Sequence, residues 1–254
     1  MKQSGLGDHL YVSGHDLSGD IGQVNRVGGG PATLDVTSIV KEAFERIGGV
    51  RDGGIDYTSF FNPSNGPGGP ASAHEVLSTL PYGDRLMTYV RGATLGGPVA
   101  QCVAKQLNYD GTRADDGAFT FAGSTQGNGF GLEWCNGLTA GQRTDTEPTD
   151  GDTVDLDTIT GVPVSGAFGL QAYLHVFALD GDSLTVTLQE SADGDTWTDV
   201  VGGHFDEATD ITSQRIETAR DQAVQRYLRA STAGDFTSAV IAVAVNRNEV
   251  EVQP

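Results

Sequence analysis

The chain is poor in cysteine and lacks long apolar runs, and each shortage excludes a class of protein. Two cysteines in 254 residues, Cys102 and Cys135, cannot form a disulfide framework. We therefore expect buried free thiols in a reducing compartment. No window approaches 18 apolar residues, so no membrane-spanning helix is expected. The N-terminus lacks the basic segment and apolar stretch of a signal peptide.

Basic residues are also scarce, and the shortage is uneven along the chain. Lysine and arginine number 15 against 34 acidic residues, which gives a net charge of −19. Residues 1–146 hold 10 bases and 15 acids (net −5), and residues 147–254 hold 5 bases and 19 acids (net −14). A surface that grips nucleic acid or an anionic membrane needs clustered Lys and Arg, so this balance argues against both roles.

The stretch Leu34–Pro63 predicts two strands joined by a charged excursion. Its β-branched and aromatic residues are bounded by Gly and Pro, which is the pattern of strands. Four polar residues, Asp35, Thr37, Asp56 and Thr58, leave one side of the predicted strands polar. A sheet with one wet face either lies at a surface or lines a water-filled space.

Further signals predict an all-β fold with one packed α-helix. The segment Ala71–Leu80 predicts the helix, because Ser72 and Glu75 have the spacing of a capping box. The turns Asp180–Asp182 and Asp193–Gly194 predict two hairpins. Residues 206–221 read as a loop or edge strand. Several short strands at spacings near ten residues predict a C-terminal antiparallel β-sandwich.

Composition divides the chain into four parts. Residues 1–33 are rich in Gly and polar residues and contain one convincing strand around Leu10–Ser13, so they read as a frayed terminus or as an arm that waits for a partner surface. Residues 34–143 form the first predicted domain. The polar residues 144–153 predict a linker, and residues 154–254 form the predicted sandwich.

No residue pattern points to catalysis, a cofactor or a metal. The five histidines are scattered, and His175 alternates within an apolar strand, which predicts a satisfied or surface imidazole. The run Asp150, Asp152, Asp155, Asp157 lacks the glycine and terminal glutamate of a calcium loop. No nucleophile elbow or phosphate-binding loop is present. We therefore expect a non-enzymatic protein without a cofactor.

The order of elements resembles the major tail tube protein of long-tailed bacteriophages. The first half carries the likeness in LDVTSIVKEAFERIGG, RDGGIDYTSFFNP, AHEVLSTL, DRLMTYVRG, YDGTRADDGAFTF and NGFGLEW. The second half, with QAYLHVF, LQESADGDTW, QRYLRAST and AVIAVAVNR, is similar to the C-terminal part of many such tail proteins. The resemblance covers nearly the whole chain, and its motifs are packing patterns.

The resemblance implies a structural virion protein whose hexameric rings stack into a tube. Residues 34–143 would be the tail-tube domain and residues 154–254 a decoration domain. DNA would pass through the lumen without specific binding, and other tail proteins would contact the tube ends. The lumen-facing candidates are Asp35, Thr37, Asp56 and Thr58. The candidates for contact with a neighbouring ring are Leu10, Tyr11, Val12, Ser64, Asn65 and Gly66.

Two other classes stay open at this stage. A virion accessory or capsid-decoration protein would be trimeric or monomeric and would not form tubes. A carbohydrate-binding β-sandwich would expose an aromatic platform, for which Tyr173, Trp197 and Tyr227 are the candidates, although aromatic residues at alternate strand positions are more often core. A tube protein should instead self-assemble in the virion tail, after synthesis in the host cytoplasm.

Overall fold

A computed structural model describes residues 4–80, 82–157 and 165–251, and it confirms an all-β fold with one short packed helix. The described chain forms two compact units, each built from separated stretches. Unit 1 contains residues 4–18, 88–101 and the described residues from 134 onward. Unit 2 contains residues 19–87 and 102–133. The boundaries predicted from composition stay a prediction.

Most strands of unit 1 belong to a sheet of ten strands and a sheet of four. The ten-stranded sheet follows the order β16-β13-β18-β10-β6-β5-β1-β2, with β11 paired to β18 and β9 to β6. Its strands are β1 (His9–Val12), β2 (His15–Asp16), β5 (Arg85–Val90), β6 (Pro98–Gln106), β9 (Thr125–Gly127), β10 (Glu133–Gly137), β11 (Arg143–Asp145), β13 (Leu170–Gly181), β16 (Thr212–Glu217) and β18 (Phe236–Arg247). The four-stranded sheet has β12 (Val154–Asp155), β17 (Tyr227–Ala233), β14 (Thr185–Ser191) and β15 (Thr198–His204), in that order.

Within unit 1, strands of the ten-stranded sheet and of the four-stranded sheet share one apolar core, as expected of a sandwich. Leu174 of β13 and Val243 of β18 lie in the same buried cluster as Leu188 of β14 and Leu228 of β17. Alternate residues of β14 and β17 are buried, since successive side chains of a strand point to opposite faces. The antiparallel sandwich predicted for the second half is therefore present within unit 1.

The core of unit 1 also contains a histidine whose hydrogen bonds have defined directions. His175 of β13 is buried, and its Nδ1 accepts from the Gly14 amide at 3.0 Å. Because Nδ1 accepts, the proton lies on Nε2, which is 2.6 Å from the Thr88 hydroxyl oxygen. Thr88 in turn donates to the Gln101 side-chain oxygen. The imidazole predicted to be either satisfied or exposed is thus satisfied and buried.

Unit 2 is organised by a long hairpin in a four-stranded sheet of order β3-β4-β8-β7. The strands are β3 (Ile21–Asp35), β4 (Arg46–Phe60), β7 (Asp110–Arg113) and β8 (Phe119–Gly123). Helix α1 (Ala73–Leu77) packs Val76 and Leu77 inward, and its capping box is confirmed: Ser72 Oγ accepts from the Glu75 amide while Glu75 accepts from the Ser72 amide.

Two predictions from the sequence differ from the observed strand pairing, and two others are confirmed. Residues 21–33 are not part of a free arm, because β3 begins at Ile21 and pairs with β4 along its length. The turn at Asp180–Asp182 does not join a hairpin, because β13 pairs with β18 and β16 while β14 pairs with β17 and β15. The hairpin at Asp193–Gly194 is confirmed, as is an edge strand, β16, within 206–221.

Candidate assembly surface

The most exposed part of the described chain is the end of the β3–β4 hairpin, residues 31–51, here called the hairpin tip. Every residue of the tip is exposed except Thr37 and Gly49, which are half-buried. Pairing continues into the tip, with Leu34 opposite Ile47 and Asp35 opposite Arg46. The tip is therefore a two-stranded ribbon that has no core of its own and continues from the four-stranded sheet.

The tip carries a concentration of exposed apolar side chains. Phe44 is 70% exposed and Val40 is 81% exposed. Single exposed apolar residues are ordinary, whereas a contiguous group marks an interaction surface. The members within these 21 residues are Leu34, Val36, Ile39, Val40, Phe44, Ile47 and Val50.

Local hydrogen bonds give the tip a defined conformation. Asp35 Oδ1 accepts from the Thr37 amide at 2.9 Å, and the Thr37 hydroxyl accepts from the Glu45 amide at 2.9 Å. The Thr37 hydroxyl and amide hold the pKa of Asp35 below its usual value. The Arg46 guanidinium lies 4.7 Å from the centroid of the Phe44 ring, a cation–π contact. The apolar side chains are thus presented from an ordered turn.

Close backbone contacts fix the base of the hairpin. Thr125 is buried, and its hydroxyl accepts from the Ile55 amide and donates to the Ile55 carbonyl, at 2.9 and 2.8 Å. The Thr125 amide also donates to Asp56 Oδ1 at 3.0 Å. Next to this clamp, a Cβ on Gly54 would lie 2.3 Å from the Thr125 carbonyl oxygen. Only glycine allows this approach of the two backbones.

Replacing Gly54 by alanine should therefore destabilise the protein by about 1–3 kcal/mol, because the added methyl overpacks a backbone contact. Urea unfolding at neutral pH measures the effect. Gly19→Ala is the matched control, since nothing lies within 4 Å of its Cβ position. If the two variants have the same free energy of unfolding, the backbone at Thr125 shifts to accept the added methyl group without loss of stability.

The four lumen-facing candidates lie in two separate places. Asp35 and Thr37 are in the tip, whereas Asp56 and Thr58 are half-buried near the base of β4, between buried Ile55, Tyr57 and Ser59. Arg46, the partner of Asp35, is ten residues from Asp56 along β4, about 33 Å at 3.3 Å per residue. Asp56 and Thr58 occupy alternate positions of β4, but the four residues do not form one polar stripe, and their lumen-facing role stays a prediction.

The inter-ring candidates also divide into two kinds. Leu10, Tyr11 and Val12 form β1 and are buried in unit 1, so their side chains are occupied within their own subunit. Ser64, Asn65 and Gly66 are exposed in a loop that closes on itself, with the Gly66 amide donating to Ser64 Oγ at 3.1 Å. The inter-ring role of these residues stays a prediction.

The aromatic residues proposed for sugar binding do not form an open platform. Tyr173 is buried, and the other two rings are each covered by an arginine. The Arg229 guanidinium is 4.3 Å from the Trp197 ring centroid and pairs with Asp150 at 2.7 Å. The Arg226 guanidinium is 4.8 Å from the Tyr227 ring centroid.

The described residues also bear on the expectations for reactive thiols, metal sites and membrane-spanning helices. Cys102 and Cys135 are buried and lie outside any disulfide, as predicted, and burial raises the pKa of Cys102 to about 11. Within the described ranges, no group of three or more His, Cys, Asp or Glu side chains is arranged to hold a metal ion. No helix in the same part of the chain is long and apolar enough to cross a membrane.

Comparisons with known proteins give only distant likenesses. Chains from the virion of a native gene transfer agent particle and from the tail of an empty gene transfer agent particle with C6 symmetry are 16% and 18% identical. Each has a TM-score of 0.40 and covers 52% of this chain and 98% of its own. The Dit protein of SPP1, described as a paradigm of the hub adsorption apparatus in phages that infect Gram-positive hosts, is 10% identical, with a TM-score of 0.33 over 94% of this chain and 99% of its own. No family model and no curated protein matches the chain. Likenesses this distant assign no function.

Sequence reasoning missed the tip as a surface because it treated residues 38–45 as a charged excursion. The apolar residues Val36, Ile39, Val40, Phe44 and Ile47 recur there at the i, i+3, i+4 spacing of an amphipathic helix, yet none of them is helical in the structure. An apolar group of this kind between two predicted strands is the signal that could have identified the tip.

Proposed function

We propose that this chain is a structural subunit of the tail of a long-tailed bacteriophage, which assembles with copies of itself through the hairpin tip. The likeness of the sequence to tail tube proteins supplies the class, and the exposed apolar tip is the observation that carries the proposal. Full burial of a large apolar side chain contributes roughly 1.5–3 kcal/mol. Seven such side chains on an ordered ribbon provide enough apolar surface for a stable contact between subunits.

In this proposal, hexameric rings stack into a tube and the lumen lets DNA pass. A net charge of −19 and the lack of clustered Lys and Arg suit a channel that does not retain the phosphate backbone. The tip is an exception to the acidic balance, because residues 31–51 hold three acids and three bases. A charge-neutral contact surface lets highly acidic subunits approach each other with little repulsion.

Self-association of the purified chain tests this function. We expect annular particles or hollow rods in negative-stain electron microscopy and a concentration-dependent shift to larger species in sedimentation velocity. Phe44→Ser should weaken self-association at least tenfold, because it removes a large apolar group from the contact. Val201→Ser, an isolated exposed apolar residue on β15, is the matched control and should change nothing. A wild-type chain that stays monomeric at every concentration and salt would overturn the proposal.

A further inference from the structure

The core of unit 1 contains a small cavity next to His175. Its volume is about 10 Å³, and all of its lining residues except Ala242 are buried. A space of this size can hold one water molecule and is too small for a larger ligand. Most of the wall is apolar or glycine, and the polar side chains that line it are those of Tyr11, Thr88, Gln101, Thr139 and His175. These polar groups decide whether the cavity binds water, because a cavity with a wholly apolar lining stays dry.

Two of the polar side chains already have their partners within the core. The Thr139 hydroxyl donates to the Gly141 carbonyl at 2.7 Å and accepts from the Val243 amide at 3.1 Å. Both ring nitrogens of His175 make hydrogen bonds as well. Neither residue therefore requires a ligand in the cavity.

The Tyr11 hydroxyl, by contrast, is buried without a partner. The Tyr11 side chain lies in β1 with none of its surface exposed, and its Oη makes no hydrogen bond to a described residue. A Cβ added to Gly141 would lie 3.5 Å from this oxygen, so the glycine keeps space open beside the hydroxyl. A buried hydroxyl that lacks a hydrogen bond lowers stability, and such groups are rare in folded proteins.

A directed chain of hydrogen bonds ends at Gln101, in the wall of the same cavity. His175 accepts from the Gly14 amide at Nδ1, so its Nε2–H donates to the Thr88 hydroxyl. Thr88 then donates to Gln101 Oε1. This order uses the side-chain oxygen of Gln101 and leaves its NH2 group as the last donor of the chain. Gln101 is 1% exposed, so bulk water does not supply the acceptor.

We propose that the cavity binds one ordered water molecule, which joins the Tyr11 hydroxyl to the Gln101 NH2 group. A water molecule accepts and donates at once, so it can accept from Gln101 and donate to Tyr11 Oη. Buried waters make about two to four such bonds, and these two groups supply the minimum. Tyr11 belongs to β1 and Gln101 to β6, with β5 between them in the sheet. The water thus ties the first strand of the chain to the core across an intervening strand.

Tyr11→Phe tests the water, because it removes the hydroxyl and keeps the ring. With water bound, the variant loses a hydrogen bond, and the folding equilibrium constant from urea unfolding should fall roughly three- to tenfold. With a dry cavity, the wild-type hydroxyl is an unpaired buried group, so its removal should leave stability unchanged or raise it. Tyr57→Phe is the matched control, since its hydroxyl is also buried without a partner among the described residues but does not line this cavity. A loss at Tyr11 no larger than the loss at Tyr57 would overturn the inference.

A crystal structure of the wild type tests the site without any variant. At a resolution that shows ordered waters, density for one water should lie within hydrogen-bond distance of both Tyr11 Oη and the Gln101 side-chain nitrogen. A cavity free of density between well-ordered side chains would contradict the inference. Neither measurement depends on self-association, so a chain that stays monomeric would reject the proposed function and leave the water site standing.

Discussion

Between pH 6.5 and pH 5, the wild-type protein should lose about 2 kcal/mol more stability than the His175→Gln variant. Burial in unit 1 lowers the pKa of His175 to about 3, against 6.5 in an unfolded chain. The unfolded imidazole binds a proton as the pH falls below 6.5, whereas the folded one stays neutral until the pH approaches 3. The stabilising contribution is therefore complete above pH 6.5 and falls by about 1.4 kcal/mol per pH unit below it.

Glutamine is the informative replacement because it keeps the polar contacts without titrating. Its side-chain oxygen can accept from the Gly14 amide and its NH2 group can donate to Thr88. Urea unfolding at pH 7, 6 and 5 gives the comparison, and carboxylates that titrate in acid cancel between the two proteins. His204→Gln, at an exposed histidine, controls for the loss of an imidazole. Identical pH slopes for wild type and His175→Gln, or NMR titration of His175 near 6.5, would contradict the prediction.

Replacing Asp145 by alanine should cost about 3–5 kcal/mol, the range for breaking a buried ion pair. Asp145 is 4% exposed on β11, where its Oδ2 accepts from Arg143 Nη2 and from the Thr232 hydroxyl, each at 2.8 Å. Strand β11 belongs to the ten-stranded sheet and Thr232 to the four-stranded one. Loss of the carboxylate would leave a largely buried guanidinium without its countercharge and remove a polar link between the two sheets.

Thermal and urea unfolding measure this loss. Asp182→Ala removes an exposed carboxylate, so it separates the burial effect from the change in net charge. A cost at Asp145 no larger than at Asp182 would show that solvent reaches Arg143 and replaces the carboxylate. A crystal structure of the variant with the Arg143 side chain turned outward would agree with that outcome.

Sequence patterns within short segments predicted the local features of this fold. They did not predict which distant strands pair with each other. The capping box of Ser72 and Glu75 was predictable because both partners lie within one helical turn. The residues Asp180–Asp182 lie at the end of β13, but nothing in them indicates that β14 joins the other sheet. Gly28 and Gly29 lie in the segment read as an arm, whereas they are paired with Gly54 and Gly53 in the middle of β3–β4.

The hairpin tip was not predicted as an assembly surface for a related reason. The exposure of Phe44 depends on how far the β3–β4 pairing extends beyond the rest of the sheet. That length is set by close contacts such as Gly54 against Thr125, which lie 71 residues apart in the chain. Alternation of Asp56 and Thr58 with buried neighbours was recovered, because a period of two is visible within a single strand.

The interleaving of the two units has a consequence for how the protein is made. Unit 2 uses only residues up to Glu133, so all of its strands have left the ribosome while the second half is still being translated. Unit 1 combines β1, near the N-terminus, with β13 and β18, and the Gly14 amide meets His175 across 161 residues. Contacts of such sequence separation form slowly. We therefore expect the hairpin tip to leave the ribosome and pair before the strands that complete unit 1 have been synthesised.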